Sequence, residues 1–183
     1  STPKECFDFG ALSFDLAERL QTPIILMSDL DLGMNDNMSE PLAWDDERKY
    51  DRGKVMTAEQ LESGVEFGRY LDVDGAAICC RTYPGTHPAK GAFFSRGTCR
   101  NEYAIYTEKG EEYESNMLRL LRKWDTINEY VPAPITVDCG RETDTGVLYF
   151  GTSEESSREA LDHLAAEGIY MNAMRVRAFP FNR

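Results

Sequence analysis

An acid-free segment rich in glycine and proline is the feature that most limits how this acidic chain can fold. The whole sequence has 32 Asp and Glu against 20 Lys and Arg, a formal net charge of −12. The segment Gly75–Asn101, which we name the basic loop, contains no acid. Its basic side chains are Arg81, His87, Lys90, Arg96 and Arg100. Its glycines and prolines exclude a long regular helix.

The basic loop has two interpretations. Unbalanced positive charge attracts anions, and the planar fork of arginine can bind two oxygens of a carboxylate or phosphate. Arg81 is the best candidate because it follows the apolar run Ala76–Cys80, a predicted strand, and precedes a turn at Pro84-Gly85. In the other interpretation, the loop is a surface connection whose cations pair with neighbouring Asp and Glu.

Composition and charge exclude several classes of protein. The net negative charge argues against nucleic acid or an anionic membrane as the main partner. No apolar run approaches the roughly 20 residues that span a bilayer, and the first ten residues lack the form of a signal peptide. Five irregularly spaced cysteines predict reduced thiols and a cytoplasmic protein rather than a disulfide framework.

Local patterns in the first part of the chain predict short elements and a long connection. Leucines four residues apart predict a helix over Gly10–Leu20, and Ile24–Met27 has the form of a strand buried on both faces. Ser28 and Asp29 then follow as candidates for a ligand crevice or a helix cap. We expect residues 29–56 to cross the surface, with Asp29, Asp31 and Asp36 lacking the calcium-hand pattern. Thr57 and Gln60 predict a capping box.

The later part of the chain shows a helical pattern and then a βαβ pattern. Within residues 101–130, the helical spacing of apolar residues predicts a helix over Tyr113–Ile127, which we label α4 and whose apolar stripe is core or subunit interface. We name this set the α4 stripe: Tyr113, Met117, Leu120, Leu121, Trp124 and Ile127. VPAP at 131–134 predicts a linker and a domain boundary. The pattern then predicts strand Val147–Phe150, helix Glu154–Glu167 and a parallel strand Met171–Val176, with Ser153 as a cap or, less favoured, a phosphate cradle.

Several segments, taken in order, resemble one enzyme family. They are PIILMSDLDLGMN, DRGKVMTAEQLE, GRYLDVDG, RTYPGTHPAKGAFFSRGT, NEYAIYTE, PAPI and GTSEESSREAL with MRVRAFPF. Together they resemble the alpha subunit of bacterial 2-oxoacid:ferredoxin oxidoreductases, particularly the 2-oxoglutarate type. The resemblance implies an α/β fold: residues 1–130 as the C-terminal part of a thiamine-fold (pyrimidine-type) domain, and 131–183 as the start of a transketolase C-terminal-like domain.

The resemblance also implies a reaction and a set of partners. The family decarboxylates a 2-oxoacid on thiamine diphosphate, forms an acyl-CoA and passes electrons through an iron–sulfur cluster to ferredoxin. The beta subunit holds the magnesium–diphosphate site and the cluster, and the family's Tyr-Pro-Ile-Thr-Pro segment is not found here. We therefore expect an internal piece of the subunit that, in isolation, is inactive and binds neither thiamine diphosphate nor a cluster.

The resemblance places the substrate-binding residues at Arg81, Thr82, Thr98 and Arg100, with Arg81 on the carboxylate of the 2-oxoacid. The chain departs from the family there. The family commonly reads Asp-Gly-Asp-Gly-Ile-Pro-Tyr-Arg-Thr, whereas residues 74–82 read DGAAICCRT. Cys99 and Arg100 stand where a glycine and a histidine commonly follow Gly-Thr. Both changes make the basic loop more positive.

Two alternatives belong to other classes. The first is a non-catalytic α/β interaction module of the same fold that acts as a subunit-docking domain. The second is a zinc site formed by Cys79, Cys80, His87 and Cys99, which is disfavoured because adjacent cysteines rarely satisfy tetrahedral geometry.

Overall fold

The protein has a mixed α/β fold in the computed structural model, which describes residues 2–182. The helices of that range are α1 Pro3–Leu20, α2 Leu30–Met34, α3 Ala58–Glu62, α4 Gly110–Ile127 and α5 Ser153–Ala166. Its strands are β1 Ile135–Val137, β2 Gly146–Phe150 and β3 Asn172–Val176. The predicted α/β class is therefore confirmed. Within residues 2–182, no helix is both long and apolar enough to cross a lipid bilayer.

The chain forms two compact units. The first contains residues up to Phe14, Ile24–Lys49 and the chain from Asn128 onward. The second contains Asp15–Pro23 and Tyr50–Ile127. Each unit is therefore built from segments that are far apart in the sequence.

The first unit is built on a three-stranded sheet with the order β1-β3-β2. Strands β2 and β3 run parallel, which confirms the predicted βαβ unit, and β1 adds an antiparallel edge that the sequence analysis missed. Tyr149, Ala173 and Arg175 are buried, whereas Leu148 and Phe150 are exposed. Successive strand residues point to opposite faces, so one face of the sheet is covered and the other is open.

The N-terminus of α5 is occupied by a carboxylate of the chain itself. Asp29 Oδ2 accepts hydrogen bonds from the Thr152 hydroxyl at 2.8 Å and the Thr152 amide at 3.3 Å. Its Oδ1 accepts from the Leu32 amide at 2.9 Å and so caps α2. These bonds, led by the one from Leu32, lower the pKa of Asp29. Asp29 is thus a helix cap. Its carboxylate occupies the N-terminus of α5, which was the less favoured candidate for a phosphate site.

A buried ion network lies on the covered face of the sheet. Arg175 of the central strand β3 contacts Glu5 of α1 at 2.7 Å and Glu154 of α5 at 3.2 Å. Glu5 also accepts from Arg177 at 2.8 Å, and Glu154 from Arg158 at 2.6 Å. The side chains of Arg175, Glu5 and Glu154 are 9%, 13% and 7% exposed. The network therefore joins α1, β3 and α5 through charges largely removed from water.

The predicted strand Ile24–Met27 is wrong. This segment has no strand geometry, and Ile25 and Met27 are each 83% exposed. A strand obtains its backbone hydrogen bonds from a neighbour, and no strand of the described chain pairs with this run. The predicted surface connection that follows is confirmed, apart from the single short helix α2.

The second unit has a small apolar core. Leu16 and Leu20 of α1 are buried, which confirms the predicted helical face. They share the core with Met56, Leu61 and Ile78. The capping box is also confirmed: Thr57 accepts from the Gln60 amide at 3.3 Å, and the Gln60 side chain accepts from the Thr57 amide at 2.9 Å. This cap fixes where α3 begins.

Helix α4 buries part of its charged face and leaves most of its apolar stripe exposed. Its buried residues are Arg119, Lys123 and Ile127. The rest of the α4 stripe is exposed by between 37% for Met117 and 62% for Leu121. The prediction that the α4 stripe is core is therefore wrong for five of its six members. Its role as a subunit interface remains a prediction.

An exposed apolar stripe favours association. We expect the protein to self-associate or to require a partner chain, and we expect Leu121→Glu to weaken that association. The change should cost little stability because Leu121 is already 62% exposed. Sedimentation velocity measures the effect. Leu118→Glu, at a half-exposed position outside the α4 stripe, is the matched control. A wild-type protein that stays monomeric at high concentration without a partner would contradict the expectation.

Candidate functional site

Arg81 is fixed at the backbone and at the side chain. Its amide donates to the Lys54 carbonyl at 2.9 Å, and its carbonyl accepts from the Met56 amide at 2.9 Å. The predicted strand Ala76–Cys80 is thus reduced to a single parallel bridge between Val55 and Arg81. The backbone cannot continue as a strand because Ala77 has a φ of +59° in the left-handed region.

The Arg81 guanidinium already holds a carboxylate. It forms an ion pair with Glu18 of α1. The same guanidinium donates to the Arg52 carbonyl at 2.9 Å and to the Tyr83 hydroxyl at 3.2 Å, and it lies 5.0 Å from the centre of the Tyr83 ring. The acid comes from outside the basic loop, so Arg81 is neutralised in spite of the loop's composition. Its part in substrate binding remains a prediction.

The structure does not bring the four predicted substrate-binding residues into one contact network. Thr82 donates to the Gly91 carbonyl at 2.6 Å and is half-buried. Thr98 is exposed. Arg100 is half-buried and donates to the Gly97 carbonyl at 2.7 Å and to the Tyr70 hydroxyl at 3.2 Å. Within residues 2–182, no hydrogen bond or ion pair joins Arg81 or Thr82 to Thr98 or Arg100.

Two further side chains of the basic loop share one acid. The ring of His87 contacts the Glu62 carboxylate through Nε2, and Lys90 lies 3.3 Å from the same carboxylate. His87 Nδ1 accepts from the amides of Ala89 and Lys90 at 3.0 and 2.8 Å. Nδ1 therefore lacks a proton, and Nε2 donates to Glu62. This acid also lies outside the loop, on α3.

The zinc alternative does not fit this arrangement. Both ring nitrogens of His87 are engaged by protein groups. Over the described range 2–182, no three His, Cys, Asp or Glu side chains are placed so that they could hold a metal ion. Cys79, Cys80, His87 and Cys99 therefore do not form a zinc site.

Three arginines surround one tyrosine ring. The guanidinium carbons of Arg69, Arg100 and Arg119 lie 5.6, 5.4 and 6.0 Å from the centre of the Tyr70 ring. Burial raises the pKa of the Tyr70 phenol, but hydrogen bonds with Ser95 and Arg100 outweigh burial and lower it. None of the three arginines forms an ion pair within residues 2–182. We name Tyr70, these three arginines and Lys123 the tyrosine cluster.

Lys123 adds a buried ammonium to the tyrosine cluster. Its side chain donates to the Gln21 carbonyl at 2.7 Å, and the residue is 6% exposed. Burial, together with the charge of Arg119, lowers the pKa of Lys123 to about 8. Without an acid partner, the buried charge is destabilising. The tyrosine cluster therefore holds four cationic side chains that form no ion pair with an acid of the described chain.

A cavity of about 390 Å³ borders the tyrosine cluster. Its lining includes Tyr70, Asn101, Glu112, Asn116 and Arg119. Among the described residues, two lining atoms are buried without a hydrogen-bond partner, Arg119 Nε and Glu112 Oε2. Arg119 itself is 9% exposed and uses another nitrogen to reach the Ala77 carbonyl at 3.0 Å. The cavity thus presents one unused donor and one unused acceptor.

The sequence analysis missed the tyrosine cluster and the cavity. The prediction for α4 concerned only its apolar stripe. Arg119 and Lys123 are four residues apart and so share one helix face. This spacing could have indicated a second, charged face on α4. Tyr70 and Arg69 lie in the GRYLDVDG segment, which has no regular period that would indicate a site. The long-range packing that brings these residues together has no local signature.

Comparison with known proteins identifies a similar solved structure. No family model matches the chain, and no curated protein matches it by sequence. A solved structure of 2-oxoglutarate:ferredoxin oxidoreductase from Magnetococcus marinus, with 2-oxoglutarate, coenzyme A and succinyl-CoA bound, superposes with a TM-score of 0.70 at 20% identity. The match covers 91% of this chain. The two share a fold. The chain spans only 28% of the length of that enzyme chain, so the match concerns one segment of it.

Proposed function

We propose that this chain is a segment of the alpha subunit of a thiamine diphosphate-dependent 2-oxoacid:ferredoxin oxidoreductase. The reaction is the oxidative decarboxylation of a 2-oxoacid of the 2-oxoglutarate class to an acyl-CoA, with electrons passed to ferredoxin. Residues 1–130 would form the end of the thiamine-fold domain, and residues 131–183 the start of the transketolase C-terminal-like domain. The beta subunit and ferredoxin would be the protein partners.

One observation carries the proposal. The chain follows the fold of a 2-oxoglutarate:ferredoxin oxidoreductase segment over 91% of its length, and the quoted family segments occur along this same chain in order. Fold alone does not specify function, so the order of these segments is the added support. A further detail agrees with it. Ala77 stands where the family has a glycine, and it keeps the left-handed φ that glycine adopts most easily.

In the proposed site, Arg81, Thr82, Thr98 and Arg100 bind the 2-oxoacid. The role of Arg81 is to hold a carboxylate through its planar fork. Its ion pair with Glu18 supports this chemistry, because the guanidinium already binds a carboxylate of the chain. A substrate carboxylate would have to displace Glu18 or share the guanidinium with it. Arg100, which has no acid partner within residues 2–182, would supply the remaining positive charge.

The described residues do not fit the family's cofactors by themselves. Iron–sulfur clusters need several thiolates, whereas burial raises the pKa of the Cys79 and Cys80 thiols and favours their protonated forms. Magnesium needs oxygen ligands that converge, and within residues 2–182 no group of three such acids is placed for a metal. Thiamine diphosphate, magnesium and the cluster are therefore assigned mostly to other parts of the complex.

The test uses the complex purified from its source through an affinity tag on this protein. We expect reduction of ferredoxin that requires both a 2-oxoacid and CoA, with one acyl-CoA formed per two electrons. 2-Oxoglutarate should be a better substrate than pyruvate by kcat/KM. A complex that contains the partner chains but does not reduce ferredoxin with any 2-oxoacid would overturn the proposal. That result would favour the docking module.

A further inference from the structure

The cavity beside the tyrosine cluster has opposite charges that its own residues do not neutralise. Arg119 Nε and Glu112 Oε2 are both buried without a hydrogen-bond partner, and both line this cavity. A buried polar atom without a hydrogen-bond partner destabilises the protein, so a ligand that supplies the partner is favoured. Since the two residues are seven positions apart on α4, they lie on the same helix face. The cavity is therefore built with a donor and an acceptor that face the same space.

Some charged residues that line the cavity are paired within the protein, and others are not. Asp72 is satisfied, since it pairs with Arg122 at 3.3 Å and accepts from the Ala77 amide at 3.0 Å. Glu112 Oε1 lies 3.5 Å from the exposed ammonium of Lys109, which leaves Oε2 for another group. Arg119 belongs to the tyrosine cluster, where positive charge is in excess. One part of the cavity therefore favours an anion, and another favours a cation or a hydrogen-bond donor.

A simple anion fits this lining poorly. Besides Arg119 and Arg122, the cavity is lined by three carboxylates, Asp72, Glu102 and Glu112. A phosphate or an unsubstituted carboxylate would satisfy Arg119 Nε but would be repelled by Glu112. A molecule that carries both signs satisfies both atoms. The amides of Asn101 and Asn116 in the same lining can receive a polar side group.

We propose that this cavity binds a small polar α-amino acid, with its carboxylate on Arg119 Nε and its ammonium group on Glu112 Oε2. The volume of about 390 Å³ is within the range of small-molecule pockets. The cavity is distinct from Arg81, whose guanidinium is engaged by Glu18. The inference therefore stands whether or not the oxidoreductase function is confirmed.

The test follows the Nε–Hε resonance of Arg119 by NMR in the 15N-labelled protein. The probes are L-glutamine, glutaramate, which lacks the ammonium group, and 4-aminobutanamide, which lacks the carboxylate. We expect L-glutamine to shift this resonance saturably. Each truncated probe should bind at least about tenfold more weakly, because each loses one charge-assisted contact. No shift with millimolar L-glutamine, or glutaramate binding as tightly as L-glutamine, would overturn the inference.

Glu112→Gln gives an independent check that does not depend on changing a buried arginine. It should weaken L-glutamine at least about tenfold, because the ammonium contact is lost. It should not weaken glutaramate, whose carboxylate is then no longer repelled by Glu112. Glu111→Gln, at the adjacent exposed position outside the cavity lining, should change neither affinity. If Glu112→Gln weakens both ligands equally, or if Glu111→Gln has the same effect, the assignment of the ammonium contact is wrong.

Discussion

Arg175→Met is expected to destabilise the protein by about 3–5 kcal/mol, because it removes one member of a buried ion network and leaves the others without compensation. Arg175 is the shared partner of Glu5 and Glu154, and all three side chains are at least 87% buried. Methionine keeps the length and packing of the side chain, so the effect reports the charge. Urea denaturation followed by circular dichroism measures the change in the free energy of unfolding.

The control for Arg175 is an exposed pair of similar length. Lys4 lies 2.6 Å from Asp8, but their side chains are 44% and 52% exposed. Lys4→Met should therefore cost less than about 1 kcal/mol. The triple change Arg175→Met with Glu5→Gln and Glu154→Gln should recover part of the loss, because no buried carboxylate then lacks a partner. Equal effects of Arg175→Met and Lys4→Met would contradict the importance of burial.

Glu5 gives the network a defined dependence on pH. Burial raises its pKa, but hydrogen bonds from Arg175 and Arg177 outweigh burial and lower the pKa to about 2 from an ordinary value of 4.5. A lowered carboxyl pKa stabilises the folded state above the unfolded pKa. The contribution of Glu5 is thus fully present above about pH 4.5 and is lost as the pH falls towards 2. Arg175→Met should raise the folded-state pKa of Glu5 towards its unfolded value, and so reduce the stability that is lost between about pH 4.5 and pH 2.

In the proposed oxidoreductase complex, Arg81→Ala should raise KM for the 2-oxoacid at least about tenfold. A charge-assisted hydrogen bond contributes about 1.5–3 kcal/mol, and about 1.4 kcal/mol is tenfold in an equilibrium constant. Effects on ferredoxin and CoA should be smaller. Arg81→Lys should restore the KM only in part, because an ammonium cannot reproduce the fork. Steady-state kinetics with each substrate varied in turn makes the comparison.

Glu18→Gln separates the two interpretations of Arg81. If Glu18 competes with the substrate carboxylate, weakening the ion pair should lower KM for the 2-oxoacid while Arg81→Ala raises it. If the pair only supports the fold, both variants should lower the melting temperature and leave KM unchanged. That second outcome would make Arg81 a structural residue and would remove it from the proposed site.

Local sequence signals predicted those elements that depend on neighbours along the chain. The capping box at Thr57 and Gln60 involves groups three residues apart, and the βαβ unit from β2 to β3 is a short crossover with its own turn residues. The helical face of Leu16 and Leu20 was also correct because period alone defines it. β1 was missed because it has only three residues and gains its partner from β3.

The errors concern interactions across long sequence distances. Ile24–Met27 has the composition of a buried strand, but composition does not provide the neighbour that a strand needs. The acid-free composition of the basic loop could not show that Glu18 and Glu62 approach from other segments to pair with Arg81, His87 and Lys90. Likewise, the charges around Tyr70 come from three separate segments, so their convergence was not visible in any single motif.

The outward-facing α4 stripe has a consequence for how this protein can change over evolution. Because five of its six apolar side chains are more than a third exposed, folding of this chain places little constraint on their identity. Substitutions there should be nearly neutral for stability, whereas the charged face with Arg119 and Lys123 is constrained by packing. Any selective pressure that preserves the α4 stripe must therefore arise from an interaction between the folded chain and another molecule.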